Sequence, residues 1–217
     1  IVKFPGPGDP RDIGPIEHAY AAMARAAGLR MTDCGLIEDP TGPGWFVTER
    51  FDRHAGQRLH LHSLAGLLHA DPWIPSLDYE ALLRATQFLT RDVRDVYAAL
   101  RMAAFNVFAY NRDDHARQFS FLMDGSGEWH LSPAYDLTFA TGPGGEHSTS
   151  VVGEGRAPGR THLLKLAARA GLNAEPSKKI IDEVAEATQG WTTFADAAGV
   201  SRASRDRITS YQRQVPR

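Results

Sequence analysis

Apolar and polar positions divide this chain into a short strand-rich opening and a long helical remainder. Ile1, Val2 and Phe4 bracket Lys3 before Pro5 closes the run, the pattern of a short strand. Gly6 to Gly14 is a loop of Pro, Gly and Asp, and Gly14-Pro15 then opens a helix with proline in its first turn. Ile16, Ala19, Tyr20, Met23 and Ala27 keep helical spacing until Gly28 stops it. Met31 to Ile37 and Trp45 to Phe51 read as two more strands, separated by the turn residues Asp39-Pro40-Thr41-Gly42-Pro43-Gly44.

From Leu59 onward the periodicity becomes helical. Asp78 suits the cap of a helix carrying Ala81, Leu82, Ala85, Phe88 and Leu89. Val93, Val96, Tyr97, Leu100, Ala104, Val107 and Phe108 mark a longer helix, and Arg91, Asp92, Arg94 and Asp95 lie off its apolar face. A charged loop follows, then two short strands around the turn Asp124-Gly125-Ser126-Gly127. Thr141 to Gly159, dense in glycine and proline, reads as a long and mobile loop. Thr161 to Gly171, Pro176 to Gly190 and Ser201 to Gln214 read as three closing helices, the first two stopped at glycine. The expected fold class is α+β, with residues 1–53 forming a small α/β unit and 54–217 a mainly helical one.

Composition narrows the function loosely. The 217 residues suffice for a real core. Lys and Arg total 24 against 26 acids, which argues against a sequence-wide polyanion binder. Cys34 is the single cysteine, so no disulfide framework forms within the chain and a reducing cytoplasm is the expected location. No apolar run approaches the ~20 residues of a membrane helix, and no signal peptide is present. The chain begins inside an apolar run without methionine, as part of a longer protein would.

The chemistry gathers in Phe105 to Asp136, FNVFAYNRDDHARQFSFLMDGSGEWHLSPAYD. Asp113 and Asp136 each sit just past a regular element, where a loop on a rigid frame can aim a carboxylate at a ligand. Phosphoryl transfer uses such groups, one orienting the attacking hydroxyl and others holding magnesium. Gln118 supplies an amide five residues after Asp113, one methylene longer than asparagine. That spacing is common by chance, but its setting is not. NRDDHARQFSF followed by W-x-L-S-P-A-Y-D-L-T resembles the HipA family of toxin kinases, whose loop reads D-x-H-x-K-N-F-S and whose metal motif is P-x-Y-D. IVKFP, E-x-A-x-x-x-A-x-x-A-G-L and VTERFDR extend the resemblance toward the start of the chain.

The resemblance implies a two-lobed protein-kinase-like fold, with a partial N-terminal lobe over 1–53 and a catalytic lobe over 54–217. It implies ATP and Mg2+ as cofactors and serine/threonine kinase activity on a protein, such as an aminoacyl-tRNA synthetase or another translation protein. The implied partner is a helix-turn-helix antitoxin of the HipB type, with DNA reached only through it, and no membrane is involved. Carried onto this chain, Asp113 acts on the acceptor hydroxyl, His115 braces the loop, and Arg117 stands near the transferred phosphate where the family has lysine. Gln118 and Asp136 hold magnesium. Lys3 holds the ATP phosphates and Glu17 orients it. Glu49, Arg50 and Phe51 form the hinge that receives adenine, and Tyr135 packs on the nucleotide.

Other residues read as ordinary structure. Asp114 reads as a solvated turn carboxylate, His60 and His62 as strand residues without a third metal ligand, and Trp129 and Trp191 as packing anchors. Two departures from the family stand out. No phosphate-covering loop or autophosphorylated serine precedes Lys3, and asparagine has become Gln118. A catalytically weakened nucleotide- or antitoxin-binding module is therefore the alternative, and a metal hydrolase using Asp113, His115 and Asp136 a third.

Overall fold

The computed structural model describes residues 1–40, 42–54, 56–71 and 77–217. β1 (Val2–Lys3), β2 (Cys34–Asp39) and β3 (Gly42–Thr48) form an antiparallel sheet in the order β1-β3-β2, and α1 (Ile13–Ala26) packs on it. Lys3 pairs with Phe46, and Asp39 with Gly42, so the turn lies between those last two residues. That pairing moves the expected strands. The second starts at Cys34 rather than Met31, and the third takes in Gly42–Gly44 and ends at Thr48, leaving Glu49-Arg50-Phe51 outside the sheet. Gly14 permits the close approach of helix and sheet, since a Cβ there would lie 2.4 Å from the carbonyl oxygen of Gly44.

β4 (Arg53–His54) and β5 (Gln57–Arg58) make a small hairpin leading to β6 (His60–Ser63) and the short α2 (Leu64–Leu67). β7 (Leu77–Asp78) precedes α3 (Tyr79–Thr90), and Asp78 caps that helix by accepting from Glu80 N at 2.9 Å. α4 (Val93–Phe108) is capped in the same way by Asp92. It runs through the centre of the molecule, with Ala99, Leu100, Ala103, Ala104, Phe105 and Phe108 fully enclosed. β8 (Ser120–Met123) lies between β6 and β9 (Trp129–Leu131) in a second antiparallel sheet.

The segment over 141–159, expected to be a mobile loop, is instead tied down along its length. β10 (Thr149–Ser150) pairs in parallel with β7, Val151 bridges Glu154, and Ser148 N donates to Arg112 O at 3.2 Å. α5 (Arg160–Arg169), α6 (Ala174–Gln189), α7 (Trp191–Ala197) and α8 (Arg202–Gln212) close the chain. α7 is an addition to the three expected helices. It exists because Trp191 is buried against Tyr20, ring centroids 5.2 Å apart. α1 is thereby clamped on a second side: the Tyr20 hydroxyl donates to Ala109 O at 2.6 Å, and Asp12 accepts from Ser201 N at 2.8 Å. No helix among the described residues is long and apolar enough to cross a membrane.

Candidate active site

A cleft of about 310 Å³ opens between the first sheet and the segment following β9. Its walls carry Met31, Phe51, Leu61, Tyr135 and Leu137, with Lys3, Glu17 and Asp136 also in its lining. Glu49 and Arg50 line it too. The Phe51 and Tyr135 rings lie 5.3 Å apart, and the Tyr135 hydroxyl hydrogen-bonds Ser120 Oγ at 2.7 Å. Burial pushes the Tyr135 phenol up to about 12, so this ring is a neutral wall. The Arg50 guanidinium pairs with Asp52, also in the cleft lining, at 2.6 Å.

Lys3 is the hub of the charged residues. Strand alternation on β1 aims its side chain at α1, where Nζ meets Glu17 at 3.1 Å, and it also bonds Asp136 from 133 residues away. Burial acts to lower its pKa, yet Asp136 and Glu17 outweigh this and hold it above the ordinary lysine value. Glu17 is buried rather than solvated, and burial raises its pKa despite Lys3. Asp136 shows the opposite balance: burial opposes its charge, but Lys3, Gln118 and His115 together bring it below the usual carboxylate range. Its backbone lies in the left-handed region at φ 55°, a conformation that aspartate tolerates better than most residues.

Gln118 closes a short 3-10 turn, Ala116–Gln118, and its Nε2 donates to Asp136 Oδ2 at 2.6 Å. His115 caps that turn, its Nδ1 accepting from Arg117 N at 3.3 Å, while Nε2 stands 4.0 Å from Asp113 Oδ1. The Arg117 carbonyl accepts from the Tyr135 hydroxyl. Asp113 is half exposed and makes no hydrogen bond among the described residues. Burial raises its pKa, with Asp136 and Asp114 adding to the rise and His115 opposing it. The structure thus brings Lys3, Glu17, Glu49, Arg50, Phe51, Tyr135 and Asp136 onto one cleft and ties Gln118 to it through Asp136. Asp113, His115 and Arg117 precede Gln118 on the same loop but are not part of the cleft wall.

A carboxylate beside an amide is a donor set suited to a hard cation such as magnesium. Asp136 Oδ2 and the Gln118 amide oxygen would fit that requirement once the amide is turned to present Oε1, while Asp136 Oδ1 is held by Lys3.

Asp114 overturns the sequence expectation. It is fully buried, and its carboxylate accepts from the Tyr79 hydroxyl at 2.7 Å, His147 Nδ1 at 2.8 Å, Ser148 N at 2.8 Å and Thr149 N at 3.2 Å. Asn106 Nδ2 donates to the Tyr79 hydroxyl at 2.9 Å, and Asn111 Nδ2 to Asn106 Oδ1 at 3.0 Å. This buried network fastens the loop bearing Asp113 to α3, α4 and the strand after His147. Sequence reasoning missed all of it, apart from the bare signal of two adjacent aspartates. His60 and His62 lie with ring centroids 6.2 Å apart. Among the described residues the group close enough to ligate one ion is Asp124, Glu128 and His130, and Asp124 is already engaged in its own turn.

The fold is of the kinase-like α+β class. The Helicobacter pylori proinflammatory kinase CtkA matches it with a TM-score of 0.55 at 12% identity, covering 97% of this chain and 90% of that one. HipA of the Shewanella oneidensis MR-1 toxin–antitoxin system, solved with HipB and its operator DNA, matches with a TM-score of 0.76 at 16% identity. That likeness covers 98% of this chain and 56% of HipA, so the chain spans little more than half the length of that relative. No curated protein matches the sequence. The family model of the HipA-like C-terminal domain matches residues 1–191, and the chain belongs to that family.

Proposed function

We propose that this chain is the catalytic part of a HipA-type serine/threonine protein kinase that moves the γ-phosphate of ATP to a protein hydroxyl. The observation that carries the reading is the meeting of Lys3, Glu17, Asp136 and Gln118 at an apolar cleft, although they come from β1, α1 and two separate loops. On this reading residues 1–53 form the smaller lobe with the hinge, and 54–217 the helical lobe. Adenine lies against Phe51 and Tyr135, and the backbone of Glu49 and Arg50 supplies its hydrogen bonds. Lys3 binds the phosphates, and Glu17 keeps it extended toward them. Asp136 and Gln118 hold Mg2+, which when bound neutralises phosphate charge. Asp113 accepts the hydroxyl proton, His115 keeps the loop in shape, and Arg117 offers a positive charge near the transferred group.

The substrate we propose is a translation protein such as an aminoacyl-tRNA synthetase, and the setting is the bacterial cytoplasm. A HipB-type antitoxin is the proposed partner, with operator DNA reached only through it. HipB and DNA accompany the Shewanella HipA, which supports this partner class. One observation favours a second reading, a nucleotide-binding module with weakened chemistry: both Asp136 oxygens are engaged, one by Lys3 and one by the Gln118 amide. Incubation with γ-labelled ATP and magnesium separates the two. Label transferred to protein, and lost in Asp113→Asn, is the expected result; nucleotide binding without transfer would leave only the second reading.

A further inference from the structure

A second cavity, of about 290 Å³, is bounded by Tyr110, Arg112, Gly145, His147 and Arg156, and no acidic side chain lines it. Arg112 is only 7% exposed. Its Nη1 donates to Gly145 O, its Nη2 to Arg156 O at 2.8 Å, and the guanidinium lies 4.0 Å from the centre of the Tyr110 ring. Nε is buried and has no acceptor among the described residues. A guanidinium offers five N–H donors, so several remain unused. The nearest acids are committed elsewhere, Asp114 to its four donors and Glu146 to Arg156 at 2.9 Å. Burial is the largest influence on Arg112 and draws its pKa down, against Tyr110, Asp114 and Glu146. A buried cation with no carboxylate partner among the described residues is a costly arrangement that a bound anion would relieve.

We propose that this cavity is a binding site for a phosphate group, held by Arg112 and by Arg156, whose fork now meets Glu146 and would exchange that carboxylate for the phosphate. The planar fork of arginine matches phosphate oxygens, and the Tyr110 face keeps the Arg112 fork in one orientation. The phosphate has two possible sources, free phosphate or a phosphorylated hydroxyl of the adjoining segment. Thr141 is the exposed candidate for the second. It sits between Ala140, whose carbonyl accepts from Arg112 N at 3.2 Å, and Gly142, where a Cβ would come 2.8 Å from Arg112 Cβ. In that case the Thr141 oxygen bonds the γ-phosphorus of ATP, the bond from that phosphorus to the ADP oxygen breaks, and the hydroxyl proton passes to the Asp113 carboxylate. This arm alone rests on the kinase reading.

The test is titration of the full chain with inorganic phosphate by calorimetry at constant ionic strength. One saturable site is expected, retained in Lys3→Ala and weakened at least about tenfold in Arg156→Gln, the loss of one charge-assisted contact. Arg156 is the variant of choice because its side chain is 75% exposed, so folding does not depend on it. Absence of saturable binding, loss of binding in Lys3→Ala, or unchanged affinity in Arg156→Gln would each overturn the proposal. Intact mass after incubation with Mg-ATP then identifies the source. Phosphate on Thr141 that blocks free phosphate places it on the chain, whereas an unmodified chain that still binds takes it from solution. The titration needs no catalysis, so a chain that fails to transfer phosphate still gives a clean answer.

Discussion

Replacing Asp114 by asparagine should destabilise the fold far more than the same change at its neighbour Asp113. The Asp114 carboxylate accepts from two backbone amides, Ser148 N and Thr149 N, through Oδ1, and from Tyr79 and His147 through Oδ2. Asparagine must put its NH2 on one side. Toward the backbone amides it would oppose donors that cannot turn. Toward Oδ2 it faces Tyr79, which already accepts from Asn106 and would lose the acceptor for its own hydrogen. His147 can adapt by changing tautomer. One buried donor left unmet costs about 1–3 kcal/mol, and the loss of charge assistance adds roughly 1 more, so about 2–4 kcal/mol is expected. For a domain of this size that is roughly 4–16 °C in melting temperature. Asp113, half exposed and without a hydrogen-bond partner among the described residues, should lose less than about 0.5 kcal/mol as Asn. Urea unfolding followed through the buried Trp191 measures both. Equal losses in the two variants, or an Asp114→Asn within 0.5 kcal/mol of wild type, would refute the account of the loop as anchored from inside.

The remaining predictions address the cleft. Lys3→Ala should weaken Mg-ATP binding by at least about tenfold while the protein stays folded, because a phosphate-facing ammonium is lost; equal calorimetric affinities would remove Lys3 from that role. Asp113→Asn should abolish transfer to protein yet leave ATP affinity unchanged, whereas Asp136→Asn should lose both metal-dependent affinity and turnover. Gln118→Asn should lower the magnesium concentration giving half-maximal activity and raise turnover, since the shorter amide removes a torsion worth about 0.5–1 kcal/mol to freeze. An unchanged or lower rate would mean that the loop has adapted to glutamine.

Elements with a strong local signal were legible in the sequence. The capping aspartate Asp78 and the apolar spacing of α1, α3 and α4 place those helices within a residue or two of where they stand. Features set by distant partners were not. The Pro and Gly of 42–44 signalled a turn, yet pairing with β2 draws them into β3. The composition of 141–159 signalled mobility, but a parallel strand pair with β7, some 70 residues earlier in the chain, holds it in place. α7 was invisible because a seven-residue helix has too little periodicity of its own, and the burial of Trp191 against α1 defines it.

The same distinction explains the site. The meeting of Lys3, Asp136 and Gln118 was expected, although 133 residues separate the first two, because each stands in a short stretch that resembles a HipA-family motif. Asp114 was misread because its meaning lies in partners 33 to 35 residues away on either side. The two adjacent aspartates have opposite fates, Asp113 exposed and Asp114 fully buried, so their side chains face opposite sides of the loop. One side faces solvent and can meet a substrate. The other faces the gap between α3 and the strand after His147, where only a group accepting several hydrogen bonds at once can be buried. A carboxylate meets that demand, and in doing so it holds the backbone of its neighbour still. The buried aspartate is thus the one that determines where the exposed one points.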